Sequence, residues 1–285
     1  MTIQKIGIVG TGTMGNGIAQ VAAQAGYQVV VKDVSEDKTK KSISKIEAGL
    51  SKLVEKQKID AGTKEKILKN ITVVSDLQGY KDCDLIIEAI TENPEVKQTL
   101  LKQLNEVVKD GAIIATNTSS ISITLLASQA KDPSRFVGMH FFNPVPLMKL
   151  VEIIAGIQTS EETIKATTEV AEKLGKTPAR VKDSAGFAVN RILIPMINEA
   201  VYALYEGVAD AKTIDTVMQL GANHPMGPLT LGDFVGLDVL LAALEVMQND
   251  LGEAKYQPCP LLRKMVEAGY LGRKSGRGFF DYSQK

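Results

Sequence analysis

A short apolar run, Ile6-Gly7-Ile8-Val9, stops at closely spaced glycines, and a helical pattern follows with Ile18, Val21, Ala22 and Ala25 on one face. A second apolar run, Val29-Val30-Val31, ends at Asp33. Strand, glycine turn, amphipathic helix and strand in that order predict a βαβ unit. Further strands are expected at residues 71–74, 85–89, 112–116, 136–139, 150–154 and 179–182, with helices at 95–108 and 161–174. The run Leu85-Ile86-Ile87 is apolar on both sides, as a strand covered on both faces requires. The stretch from Asp33 to Ile71 is longer than a single crossover helix needs. It carries Ile43, Ile46, Leu50, Leu53 and Val54 on one helical face and Lys45, Lys52 and Lys56 roughly opposite. Beyond Asp183 the β-branched runs thin out, and residues 190–206, 211–220, 229–251 and 260–268 read as helices punctuated by Gly and Pro. The expected fold is α/β, a mostly parallel sheet with a helical-hairpin insert (residues 1–184), followed by an all-α domain (residues 185–285). Tyr202, Tyr205, Met218, Phe234 and Met247 add bulky apolar surface to the helical part, which suits internal packing or a dimer interface.

Composition narrows the partners. Over 285 residues, 33 basic and 33 acidic side chains leave no global field, so neither nucleic acid nor an anionic membrane is an expected partner. Cys83 and Cys259 lie far apart without metal-ligand spacing and read as reduced structural thiols; no metal is expected. The chain starts almost directly in its first strand, and no apolar stretch is long enough to span a bilayer, so a cytoplasmic protein is expected. One local imbalance stands out. From Glu36 to Lys69 there are ten lysines against six acids. That surface is either a solvated helix face or a landing site for a phosphate-bearing substrate.

The glycines sharpen the first unit. Gly10, Gly12 and Gly15 have G-x-G-x-x-G spacing, interleaved with Thr11, Thr13 and Met14. The first glycine permits a tight turn, the second lets a pyrophosphate approach the backbone, and the third lets the helix pack closely. The helix N-terminus then offers N–H groups and a positive dipole end to the phosphates. Asp33 stands where a carboxylate accepts both ribose hydroxyls of an adenosine. The unit reads as Rossmann-like, and NAD is favoured over NADP because a 2′-phosphate would meet a like charge; Lys32 is an opposing cation. At the carboxyl ends of later strands sit Thr91-Glu92-Asn93-Pro94 and Asn117-Thr118-Ser119-Ser120, where open α/β sheets place ligands. Ser120 could instead cap the next helix. Of the two histidines, His224 lies in a turn-rich loop and reads as structural. His140 is expected just past a strand end on the cofactor side, where an imidazole can take a proton from an alcohol. Glu152, within a neighbouring apolar strand, is its candidate orienting carboxylate.

The runs His140-Phe-Phe-Asn-Pro-Val-Pro, Asn117-Thr-Ser-Ser, Gly-Phe-Ala-Val-Asn190-Arg, Pro225-Met-Gly-Pro-Leu and Gly272-Arg-Lys-Ser-Gly-Arg-Gly-Phe-Phe resemble the L-3-hydroxyacyl-CoA dehydrogenase family along the whole chain. It looks most like the bacterial members that act on 3-hydroxybutyryl-CoA. The resemblance implies that His140 is the base for oxidation and the acid for reduction, paired with Glu152. Ser119 and Asn190 would hydrogen-bond around the reacting oxygen. Glu92, Lys97, Asn143 and Lys274 would contact the nicotinamide half of NAD or its ribose. Lys56, with Lys52, would meet CoA phosphate. Some relatives carry a serine seven residues before that lysine, where this chain has Gly49. The helical domain would supply a homodimer or larger homo-oligomer. The implied activity is NAD-linked interconversion of L-3-hydroxybutyryl-CoA and acetoacetyl-CoA. The rival readings are a dehydrogenase of a small free hydroxy acid or sugar acid and a non-catalytic NAD-binding protein.

Overall fold

The computed structural model describes residues 2–283, and their contacts cluster in two units, Met1–Asp183 and Ser184–Lys285. The first unit is built on an eight-stranded sheet, β1 (Lys5–Val9), β2 (Gln28–Lys32), β3 (Ile71–Val73), β4 (Leu85–Glu88), β5 (Ile113–Thr116), β6 (Phe136–Phe141), β7 (Leu150–Ala155) and β8 (Thr177–Lys182). Their order is β3-β2-β1-β4-β5-β6-β7-β8. The first six of these in space run parallel, and β7 pairs antiparallel with β6. The stretch 142–149 is too short for the crossover that a parallel neighbour needs, so the chain must return in the opposite direction. β8 then runs parallel to β7 after the helix α6 (Glu161–Lys173). Chain order reverses direction across the sheet between β1 and β4, which opens a crevice at their carboxyl ends, the usual ligand position in such sheets.

The inner strands are buried because both faces are covered, while the edge strands β3 and β8 keep exposed positions. Ile6, Ile8, Val29, Val31, Leu85 and Ile87 join one core with Ile18 and Ala22 of the first helix, α1 (Thr13–Gln24). The insert is a hairpin of α2 (Glu36–Glu55) and α3 (Ala61–Lys69), capped by Ser35 and Asp60 accepting from the N–H groups of Lys38 and Thr63. Ile46 and Leu50 of α2 enter the core, with Ile43 and Leu53 packed against it, as the apolar periodicity predicts. Lys64 of α3 ties back to Ser51 Oγ at 2.9 Å and to Glu47 at 3.4 Å.

Three sequence expectations change. His140 lies inside β6 rather than past its end, because the antiparallel ladder with β7 carries the strand on to Phe141. The helix α5 (Ile123–Ala127) follows α4 (Pro94–Asn105) in the chain and is capped by Ser122, not Ser120: Ser122 Oγ accepts from Leu125 N–H, and Asp183 receives the N–H groups of Ile123 and Thr124. In the second unit α7 (Val189–Tyr205), α8 (Ala211–Gly221) and α11 (Pro260–Glu267) fall near expectation. The long helix expected at 229–251 is two, α9 (Pro228–Val235) and α10 (Leu237–Leu251). Gly236 separates them at φ +105°, a conformation no helix interior accepts and few residues but glycine adopt. Met247 is buried in the helical core, whereas Tyr205 and Phe234 remain exposed.

Candidate active site

The glycine turn is built as its spacing predicts. Gly10 stands at φ +93°, its N–H donating to Lys32 O at 2.8 Å, and a Cβ there would lie 2.6 Å from Ala89 O. Gly12 is the N-cap of α1, so the backbone N–H groups of Thr13, Met14 and Gly15 form the first turn, without intrahelical partners. A Cβ on Gly12 would meet no atom within 4 Å. The fold itself therefore does not require glycine at position 12, and a group approaching from outside would. That is the observation that fits a dinucleotide pyrophosphate to these residues. Asp33 completes the cradle. Its Oδ2 accepts from Thr11 N–H at 2.6 Å and Thr11 Oγ1 at 2.9 Å, and its Oδ1 accepts from Val34 N–H at 2.7 Å. Burial pushes this carboxyl up, but those hydrogen bonds and the Lys38 charge outweigh it and hold the group below the ordinary aspartate value. Lys32 spends its ammonium on Asp33 O at 3.0 Å. A cleft of about 470 Å³ opens beside Asp33, lined by Val9, Gly10, Val34, Ile90 and Val96 among others. Its largely apolar walls, with Asp33 at the end of β2, suit an adenosine.

Further along the sheet His140 and Glu152 stand directly opposite each other in the β6–β7 ladder. Direct cross-strand neighbours share a face, so the register alone sets the two side chains together. His140 Nδ1 lies 2.7 Å from Glu152 Oε2; the residues are 6 % and 1 % exposed. A carboxylate only accepts, so Nδ1 carries the proton and donates, which makes Nε2 the nitrogen that can exchange a proton with a substrate. The ring of Phe142 packs on the imidazole with centroids 4.5 Å apart.

Ser119 sits in a loop that one carboxylate organises. Glu92 Oε1 accepts from Thr118 Oγ1 at 2.6 Å, Ser119 N–H at 2.8 Å and Ser120 N–H at 3.2 Å. Asn117 Oδ1 accepts from Phe141 N–H at 3.0 Å, which fastens this loop to the strand residue next to His140. Lys97 is not at the surface. It is fully buried, with its ammonium 2.6 Å from Glu88 Oε1 and 3.8 Å from Glu92 Oε2. Asn143 is exposed just after β6, before a cis bond to Pro144. Lys52 and Lys56 are exposed at the end of α2, and among the described residues neither forms an ion pair. Gly49 has room for a side chain, with Gln20 Oε1 3.6 Å from a built Cβ. The remaining candidates belong to the second unit: Asn190 lies in the first turn of α7, and Lys274 Nζ pairs with Asp238 Oδ2 at 2.6 Å.

Two residues that support the site carry no sequence signal. Glu88 reads as one more strand residue until the fold packs Lys97 against it. Lys176 is buried and donates to the carbonyls of Val145 and Met148, fixing the loop that follows Asn143. Burial, helped by the Lys149 charge, pulls its ammonium below the ordinary lysine value. Among the described residues there is no cluster of side chains suited to a metal, and no helix is long and apolar enough to cross a membrane.

The 3-hydroxyacyl-CoA dehydrogenase NAD binding domain matches residues 5–184, and the C-terminal domain of the same enzymes matches residues 186–282. A 3-hydroxybutyryl-CoA dehydrogenase of Bradyrhizobium diazoefficiens is 52% identical over 280 residues, covering 98% of this chain and 96% of the relative. One from Clostridioides difficile is 48% identical over 280 residues, covering 98% and 100%. The crystal structure of (S)-3-hydroxybutyryl-CoA dehydrogenase PaaH1 from Ralstonia eutropha superposes with a TM-score of 0.98 at 49% identity, over 99% of this chain and 100% of that one. With both domains matched end to end around a dinucleotide turn and a buried His–Glu pair, the chain belongs to the 3-hydroxyacyl-CoA dehydrogenase family.

Proposed function

We propose that the protein interconverts L-3-hydroxybutyryl-CoA and acetoacetyl-CoA with NAD(H), in the cytoplasm and as a homodimer or larger homo-oligomer. The observation that carries the reading is the His140–Glu152 pair, buried on the sheet that also bears the dinucleotide turn. NAD, when bound, supplies or receives the hydride. His140 handles the proton: through Nε2 it takes one from the 3-hydroxyl in oxidation and returns it in reduction. Glu152 fixes the imidazole tautomer and offsets the positive charge that develops on the ring. Ser119 donates a hydrogen bond to the reacting oxygen. Free buried thiols at Cys83 and Cys259 suit a reducing compartment. Exposed Ile192, Val208 and Leu220 of the helical unit suit a subunit interface, which light scattering of the purified protein measures.

Oxidation of NADH by acetoacetyl-CoA against free acetoacetate separates the readings. Turnover with the thioester alone supports a CoA enzyme, turnover with the free acid supports a hydroxy-acid dehydrogenase, and tight NADH binding without either supports a non-catalytic protein.

The cofactor preference follows from Asp33. NAD(H) is expected to exceed NADP(H) in kcat/KM. Charge-assisted hydrogen bonds are worth roughly 1.5–3 kcal/mol, so Asp33→Ala is expected to narrow that gap by about tenfold or more. Equal efficiency with NADPH in the parent protein would show that Lys32 or Lys38 outweighs the carboxylate.

The CoA contact is read at Lys56, helped by Lys52. Both lie at the C-terminal end of α2, where a cation also complements the helix dipole. Stability therefore does not discriminate, and substrate binding does. Lys56→Ala is expected to raise KM for acetoacetyl-CoA roughly two- to fivefold at low ionic strength, the range of an exposed ion pair, and less as salt screens it. KM for NADH stays fixed. Equal effects of Lys56→Ala and Lys45→Ala would mark the lysines as a solvated face.

A further inference from the structure

Glu88 ends β4 at the crevice, 1 % exposed, and the family reading gives it no part. All of its polar capacity is directed. Oε1 accepts from Lys97 Nζ at 2.6 Å and Ile90 N–H at 2.7 Å, and Oε2 accepts from Thr116 Oγ1 at 2.6 Å. Thr116 is its register partner in β5, and Glu88 O accepts the N–H of Asn117 at 2.8 Å. The residue thus grips the start of segment 116–120 directly.

It also reaches the far end of that segment. Glu92 holds residues 118–120 with one oxygen and turns the other toward Lys97. The Glu92 side chain is 38 % exposed, and a half-wet carboxylate gains little from staying over a loop rather than swinging into water. A buried cation behind it changes that balance. A fully buried ammonium in turn needs a buried counter-charge in contact with it, and Glu88 is the carboxylate at that distance.

We propose that Glu88 is a positioning residue: through Lys97 and Glu92 it sets the loop that carries Ser119. The proposal rests on the reading of Ser119 as the donor to the reacting oxygen. At 1 % exposed, Glu88 itself has almost no surface to offer a substrate or cofactor.

Glu88→Gln in the full-length protein tests it, because the amide keeps size and hydrogen bonding but removes the charge. In the cofactor-free protein the Ser119 and Ser120 amides are expected to exchange with deuterium about tenfold faster or more, as a loosened loop does, while the Thr11 amide is unchanged. In turnover, kcat is expected to fall about tenfold with KM for acetoacetyl-CoA held within roughly twofold. In a Ser119→Ala background the same substitution is expected to cost little further, since the two act through one element. Unchanged exchange at Ser119 and Ser120, or a full additional loss in the Ser119→Ala background, overturns the proposal. Should the wild-type protein fail to turn over acetoacetyl-CoA, the reading of function falls, and the exchange comparison alone decides the loop. If Glu88→Gln does not fold, Glu88→Asp keeps the charge but withdraws it from Lys97, and the same exchange outcomes apply.

Discussion

Replacing His140 with glutamine is expected to lower kcat for acetoacetyl-CoA reduction by about 10²–10⁴, the worth of general acid–base catalysis, while NADH binding stays near native. The choice of glutamine follows from the geometry. His140 is buried in β6, and its Nδ1 proton is given to Glu152, itself 1 % exposed. Alanine would take one donor away from that buried carboxylate, a defect that costs up to several kcal/mol inside a protein. A glutamine amide can still donate to Glu152 and still fill space beside Phe142, so the sheet survives and the chemistry is isolated. What glutamine cannot do is exchange a proton with the 3-oxygen. Single-turnover oxidation of NADH with acetoacetyl-CoA measures the step directly. A variant that turns over at the parent rate, with unaltered thermal stability, removes His140 from the mechanism.

Much of this site was legible because it rests on local order. The glycine turn, the helix behind it and Asp33 fall within one βαβ unit, so spacing along the chain equals placement in space. The His140–Glu152 pair was legible for a different reason. Two apolar strands joined by a short connection must run antiparallel, and that places their middles side by side. The position of His140 inside the strand was not legible, since a ladder ends where its partner ends rather than where the apolar run does. Polar groups that meet across the fold were the least visible. Ser122 rather than Ser120 caps α5 because Asp183, distant in sequence, supports that turn. Lys97, which the resemblance assigns to the nicotinamide half of NAD, is fully buried with its ammonium on Glu88 of β4, a partner nothing in the local sequence announces. In the helical unit, motif glycines that stand out in the sequence prove to be packing sites. A Cβ at Gly227 would lie 2.1 Å from Asp215 Cγ, and one at Gly278 would lie 1.8 Å from Asp233 Oδ1. Those aspartates in turn hold the start of α9 and the backbone of Phe279 and Phe280. Burial pushes the Asp233 carboxyl up despite those hydrogen bonds. Such motifs identify a family without marking where its chemistry occurs.

The glycines of the dinucleotide turn allow the same distinction to be made by experiment, through two substitutions that differ only in what the new methyl group meets. At Gly15 a Cβ would lie 1.9 Å from Gly10 O and 2.9 Å from Gly10 C. Gly10 cannot move aside, because its N–H is held by Lys32 O and its other side abuts Ala89 O. The N-terminus of α1 must therefore lift, and overpacking of this kind costs about 1–3 kcal/mol. For Gly15→Ala both thermal stability and NADH affinity are expected to fall, the latter by about tenfold or more, since lifting the helix end withdraws charge-assisted hydrogen bonds from the phosphates. At Gly12 the Cβ would meet nothing, so Gly12→Ala is expected to melt like the parent protein. Its methyl group stands where the pyrophosphate must come against the backbone, so NADH affinity is expected to fall by about tenfold or more, because a clash there also breaks charge-assisted hydrogen bonds to the phosphate. KM for acetoacetyl-CoA should change little in either variant that still turns over. Titration of NADH fluorescence together with thermal denaturation reads both quantities. A Gly12→Ala protein that binds NADH as well as the parent would place the pyrophosphate elsewhere, whatever Gly15→Ala does, because only at position 12 is the demand for glycine made by the ligand and not by the fold.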